Sequence, residues 1–161
     1  MAFYQFKTEQ MIKASLEEVW DFISSPGNLK KITPENMGFE IKSGGYDGKM
    51  YEGMLIHYRV KPLLNINTTW VTEISHIKEK QYFIDEQIVG PYKFWHHQHF
   101  LEPKDEGILM TDIVSYQPPL GFLGRIANSL FIKRKLKEIF SFRERALELQ
   151  FGRTESDNIA A

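Results

Sequence analysis

The hydrophobic period of this chain changes at Pro118-Pro119. Upstream, apolar residues alternate with polar ones, the two-residue repeat of strands. Downstream, Leu123, Ile126, Leu130, Ile132, Leu136, Ile139, Phe140, Arg143 and Leu147 recur at three- and four-residue steps. That spacing predicts one helix over 120–150, about 45 Å long at about 1.5 Å per residue. A helix of that length in a chain of 161 residues must lie across something large. A strongly curved antiparallel sheet gripping it would bury both apolar surfaces, an α+β arrangement.

The remaining elements fit that frame. Residues 3–12 alternate as a first strand. Ser15 followed by Glu18 is a capping box, so a short helix carries Val19, Trp20, Phe22 and Ile23 until Pro26-Gly27 ends it. A second short helix is expected over 27–32, stopped by Thr33-Pro34. Strands are expected at 37–43, 51–61, 65–76, 80–88, 93–102 and 108–117, giving a sheet of six to seven strands. Met54, Ile56, Tyr58 and Val60 share one face of their strand, and Trp70, Thr72 and Ile74 share one face of theirs. The glycine-rich stretch 44–48 between strands is expected to be a hairpin loop rather than a phosphate cradle. Residues 1–151 form one expected domain, and 152–161 a flexible tail.

Composition excludes several function classes. Net charge is −1, which gives no global field for nucleic acid. The chain has no cysteine, which removes disulfides, thiolate metal sites and a cysteine nucleophile. No signal-peptide layout or membrane-length apolar run is present, so a soluble cytoplasmic protein is expected. No dinucleotide fingerprint, phosphate loop or nucleophile elbow occurs. Aromatic residues make up 14% of the chain, which suits either a ring-rich core or a ring-lined cavity.

The densest chemistry lies in residues 85–124. There Asp85-Glu86-Gln87-x-x-Gly90-Pro91-Tyr92, Trp95-x-His97-x-His99, Glu102-Pro103, Thr111-Asp112-x-Val114-x-Tyr116 and Leu120-Gly121-x-x-Gly124 follow one another. Together with Ser15-x-x-Glu18-x-Trp20, Thr33-Pro34 and Trp70-Val71, these residues resemble the START-like (SRPBCC) superfamily. The resemblance is strongest to its small polyketide cyclase/dehydrase-like and ligand-binding members. It implies a helix-grip fold, as in the plant pollen-allergen-type proteins, with a deep cavity between sheet and helix. It implies an apolar ligand but no single activity, and no cofactor or metal.

Even hairpin loops would pair Glu102 with Gly107, set His97 opposite Asp112, and set Glu86 opposite Trp95. One face would then carry Ile84, Glu86, Trp95, His97, His99, Asp112, Val114 and Tyr116. That face holds more of the motif residues and is expected to face inward. A one-residue slip in either turn would invert it. The candidate ligand-binding set is therefore Tyr58, Trp70, Glu86, Trp95, His97, His99, Asp112 and Tyr116. Buried charges must pair, hold water or meet a ligand. Three readings stay open: a structural network with Asp112 orienting His97, head-group recognition in an aromatic slot, and acid–base work by His97 and Asp112 in a cyclase, aromatase or dehydratase. Two histidines at this spacing with Glu86 or Asp112 are a weak metal signal, and no metal is expected. The basic run Lys133-Arg134-Lys135-x-Lys137 beside Phe131 and Ile132 is either the solvated face of the long helix or a contact for a membrane surface, as in a lipid or quinone chaperone. The leading expectation is binding of a small or medium hydrophobic molecule.

Overall fold

The computed structural model describes residues 3–42, 48–61 and 66–152. The glycine-rich stretch, save Gly48, and the tail beyond Gly152 lie outside the described residues. The chain runs β1 (Tyr4–Ile12), α1 (Leu16–Ile23), two 3-10 segments (Pro26–Ile32 and Glu35–Met37), β2 (Glu40–Ile41), β3 (Leu55–Val60), β4 (Thr68–Lys78), β5 (Tyr82–Val89), β6 (Phe94–Lys104) and β7 (Gly107–Gln117). Helix α2 (Gly121–Ala127), a π-helical turn (Asn128–Ile132) and α3 (Lys133–Phe151) follow.

The seven strands form one antiparallel sheet in the order β1-β7-β6-β5-β4-β3-β2. Among these strands only β1 leaves sequence order, pairing Tyr4 with Tyr116 and Ile12 with Ile108. Alternation is regular on β7, where Ile108, Met110, Asp112, Val114 and Tyr116 are buried. Register shifts between β4 and β5, at Val71/Thr72 and Ile74/His76, bend the sheet. The second shift also changes which residues face in. Trp70, Thr72 and Ile74 are buried before it, and Ile77 packs on the core after it.

The inner face meets α3 through Leu136, Phe140, Arg143 and Leu147, one stripe at helical spacing. Ser15 caps α1 as its spacing predicts: its hydroxyl accepts from the Glu18 amide, and Glu18 accepts the Ser15 amide. The expected strand at 37–43 contracts to Glu40–Ile41, because 3-10 turns carry the chain through Met37. The single helix expected over 120–150 is interrupted at Asn128–Ile132. There the Tyr116 hydroxyl donates to Asn128 Oδ1 at 2.7 Å, giving a buried polar side chain its partner.

Candidate functional site

A cavity of ≈ 170 Å³ lies between the sheet, the 3-10 segments and α3. Its sheet wall includes Tyr58, Trp70, Phe83, Trp95, His97 and His99, and its helix wall Leu136, Ile139, Phe140 and Arg143. Lys135 also lines it and is partly exposed, so the cavity reaches solvent there. The aromatic side is continuous. Tyr58 stacks on Trp70 at 6.1 Å, Trp70 meets Trp95 edge-on at 5.2 Å, and Trp95 meets Tyr92 at 4.9 Å. Tyr58 bonds Thr72 Oγ1 at 2.8 Å, and burial followed by the nearby charge of Asp85 pushes its hydroxyl pKa up.

One corner of this apolar space is ionic. Asp85 Oδ2 lies 2.8 Å from His99 Nε2 and 3.4 Å from His97 Nδ1. Asp112 Oδ1 lies 3.1 Å from His97 Nε2, 2.7 Å from His99 Nδ1 and 3.5 Å from Arg143 Nη1. Every ring nitrogen of both histidines therefore faces a carboxylate. A neutral imidazole donates from one nitrogen only: His99 can donate to Asp85 from Nε2 and accept from Arg143 Nη2 at Nδ1, whereas His97 must carry a second proton to donate to both Asp85 and Asp112. Burial, the strongest influence on His97, pulls its pKa down, but Asp85 and Asp112 together outweigh it and the net shift is upward. Burial and then the charge of His97 lower that of His99. Burial pushes Asp85 up, yet His97 and His99 together hold it below the usual carboxylate range. Burial likewise opposes ionisation of Asp112, while Arg143 and the two histidines hold it well below that range. With His97 as the imidazolium, two negative charges face two positive ones, which is how so buried a cluster is tolerated.

Two donors in the cavity wall have no partner among the described residues. Trp70 is 6% exposed and Arg143 9% exposed, yet Trp70 Nε1 and Arg143 Nε have no hydrogen-bond acceptor. Buried groups of this kind are uncommon and call for an explanation.

Tyr58, Trp70, Trp95, His97 and His99 are expected at the cavity from their sequence pattern, and the structure brings all five to its wall. Two expected wall residues stand behind it. Asp112 supports the histidines from β7, and Tyr116 packs behind Tyr92 and Trp95 with its hydroxyl spent on Asn128. Glu86 is a correction. It faces outward, 39% exposed at its side chain, and bonds His96 at 2.7 Å. The ladder pairs Glu86 with His96 and Asp85 with His97, one residue away from the expected register. The cause is the turn. The Gln87 amide accepts from the Tyr92 backbone N–H at 3.1 Å and donates to its carbonyl at 2.7 Å, so the connection spans an odd number of residues. On the other side of β6, His99 rather than His97 is the direct Cα partner of Asp112. That two-residue difference comes from a tight Asp105-Glu106 turn joining Lys104 to Gly107, and it leaves the inward face of β6 unchanged.

Asp85 and Arg143 are functional candidates that sequence reasoning missed. Asp85 stands one position from the residue chosen. Arg143 announces itself as a cation in phase with the apolar stripe of the last helix, where charge is retained only with a partner.

No protein-family model matches the chain, and no curated protein matches it in sequence. Solved structures match it in fold. Ginseng major latex-like protein 151 from Panax ginseng superposes with a TM-score of 0.69 at 14% identity, covering 94% of this chain and 99% of that one. A protein from Chromobacterium violaceum gives 0.68 at 12% identity, covering 92% and 98%. One from Thermus thermophilus gives 0.66 at 14% identity, covering 92% and 97%. The fold is the START-like helix grip. At these identities the likeness concerns architecture alone: a curved antiparallel sheet wrapped on a long C-terminal helix.

Proposed function

We propose that this protein binds a small, mostly apolar molecule that carries a hydrogen-bond-accepting oxygen. The observation that carries the reading is the cavity walled by rings and aliphatic side chains, two of whose wall residues, Trp70 and Arg143, hold buried donors, Nε1 and Nε, without a partner among the described residues. An acceptor oxygen would satisfy such donors, and the rings would supply affinity at about 25 cal/mol per Å² of apolar area buried. A dry cavity of about 150 Å³ accepts benzene. The volume here therefore suits a molecule of roughly one ring without rearrangement, and a larger ligand requires side chains to move. The START-like fold, whose resemblance brings an expectation of apolar ligands, supports the same reading.

Binding is favoured over proton transfer by His97. Both of its ring nitrogens face carboxylate oxygens, at 3.4 and 3.1 Å, so a substrate would have to displace a carboxylate to exchange a proton with either. The test is fluorescence titration with a naphthalene-based apolar probe, alongside mass spectrometry of whatever copurifies. Trp95→Ala should weaken probe uptake about tenfold, the equivalent of ~1.4 kcal/mol of lost ring contact. Unchanged uptake in a folded variant would remove this pocket assignment.

A second reading adds a surface to the cavity, the delivery of such a ligand at an anionic lipid bilayer. Its support is the stretch Leu120, Phe122, Leu123, Ile126, Leu130 and Phe131, each between 43 and 76% exposed, followed at once by exposed Lys133, Arg134 and Lys137. Apolar side chains beside cations are the composition of an interfacial helix. Co-sedimentation with lipid vesicles tests it.

A further inference from the structure

The ionic corner of the cavity has a second property, independent of what fills the apolar part. We propose that Asp85, His97 and His99 form a site for a divalent first-row transition-metal ion, with Asp112 and Arg143 holding the histidines from behind.

The ligand atoms are already close together. Asp85 and the two histidines offer three of them, all within 4.8 Å of one another. Asp85 Oδ2 stands 2.8 Å from His99 Nε2 and 3.4 Å from His97 Nδ1. Metal bonds of about 2.0–2.2 Å in a tetrahedral site put neighbouring ligand atoms about 3.3–3.5 Å apart. Side-chain adjustments within about an ångström would complete the triangle.

The histidines are also supported from behind. A metal-bound histidine needs its other ring N–H held by an acceptor, most often a carboxylate. Asp112 Oδ1 does this for His97, at 3.1 Å from Nε2, and it also lies 2.7 Å from His99 Nδ1, which accepts from Arg143 Nη2 at 3.4 Å; Arg143 anchors the Asp112 carboxylate in turn. His99 Nε2 bonds Asp85 Oδ2 at 2.8 Å in the metal-free protein, so a metal ion would take the place of the proton between them, with His99 Nδ1 then donating to Asp112. The lone pairs of Asp85 and the two near nitrogens would then face one another, an arrangement that a cation between them stabilises.

Access and charge agree with this placement. Asp85, His97 and His99 all line the cavity, so the arrangement has three protein ligands on one side and open space on the other. That is the pattern of a reactive rather than a structural site. Two carboxylates and one guanidinium leave one net negative charge when both histidines are neutral. A dication reverses it to one net positive, which fits an anionic oxygen in the open position. Two nitrogens and one carboxylate oxygen suit zinc or iron(II) and are poor for calcium or magnesium.

The test is calorimetric titration of chelator-treated protein with Zn²⁺, and with Co²⁺ read by visible absorption. One equivalent is expected, with the intense Co²⁺ bands of a low-coordinate site. Asp85→Asn should abolish stoichiometric binding, and Asp112→Asn should weaken it roughly 10–100-fold. Glu86→Gln, on the opposite face beside His96, should leave it unchanged. Absence of an equivalent of bound metal overturns the proposal, and so does equal loss in Glu86→Gln and Asp85→Asn, which would mark a surface site. Should Asp85→Asn fail to fold, histidine ring resonances of the native protein decide. One equivalent of Zn²⁺ must perturb His97 and His99 and leave His57, His76 and His96 in place; perturbation of His96 alone sinks the assignment. Probe uptake is read separately, so failure of the apolar-ligand reading does not touch this result.

Discussion

Asp112 and Asp85 divide the ionic corner between them, and their environments dictate how the metal-free protein responds to acid. Both carboxyls titrate below their ordinary range when folded: against the opposing effect of burial, His97 and His99 lower Asp85, and Arg143 with the two histidines lowers Asp112. The unfolded chain therefore takes up protons first as pH falls, so their contribution is present above the ordinary carboxylate pKa and lost on descending through it. His97 has the opposite sign. Its pKa is raised, so its contribution is complete below about 6.5 and fades as pH rises through the folded value. His99, shifted down, offsets this by disfavouring the fold below about 6.5. Tyr58, which also faces Asp85, has its pKa raised and stays protonated. The carboxylates then dominate the acid limb. Denaturant midpoints of chelated protein should fall between about pH 5 and pH 3. Flat midpoints across that interval would mean that the cluster is not ionised as described. None of this hinges on Glu86. The choice between Glu86 and its neighbour was not legible in the sequence, because adjacent residues on a strand differ only in which face they take.

The elements themselves were legible wherever one residue type has one physical use. The capping box at Ser15 and Glu18, the alternation of β1, β3, β6 and β7, and the apolar stripe of α3 all form as their patterns require. What stayed hidden were local irregularities created by side-chain hydrogen bonds: the Gln87 clasp on Tyr92, the β4 register shifts, and the π-helical turn joined to Tyr116. None has a periodic signature. The first turn of α2 is similarly particular. Leu120 and Gly121 both take positive φ, at 62° and 51°, and a Cβ on Gly124 would lie 1.9 Å from the Pro119 carbonyl oxygen. Backbone cannot yield to such a contact without moving the helix. Gly124→Ala should therefore lower stability by about 1–3 kcal/mol, read by urea unfolding, despite the better intrinsic helix propensity of alanine. A neutral or stabilising result would show that the start of α2 is free to shift away from Pro118-Pro119.

Across the whole molecule, polarity is distributed unevenly. The net charge of −1 conceals a cationic, apolar promontory at residues 120–137, while the acidic side chains of the cavity are enclosed and neutralised. No helix among the described residues is long and apolar enough to cross a membrane, so any bilayer contact made by this promontory is lateral. Co-sedimentation should be stronger with anionic than with neutral vesicles and should fall as salt rises, since exposed charges are screened within about 10 Å at 0.1 M. Phe122→Ser with Leu123→Ser, or Lys133→Gln with Lys137→Gln, should each reduce it several-fold. Equal sedimentation of these variants and the native chain would dismiss the membrane reading.

The placement of β1 at the edge beyond β7 has a temporal meaning. Tyr4 waits for Tyr116, so β1 leaves the ribosome long before its partner in the sheet exists. The strands from β2 to β7 can zip in the order they are made, each hairpin closing a short loop, whereas joining β1 closes the longest loop in the sheet. Asp85, both histidines and Asp112 all lie on the early-zipping strands, and Arg143 arrives only with α3. The acidic corner can thus come together on the sheet before its guanidinium, and α3 then does two things in one step: it covers the carboxylates and brings the positive charge that makes covering them tolerable.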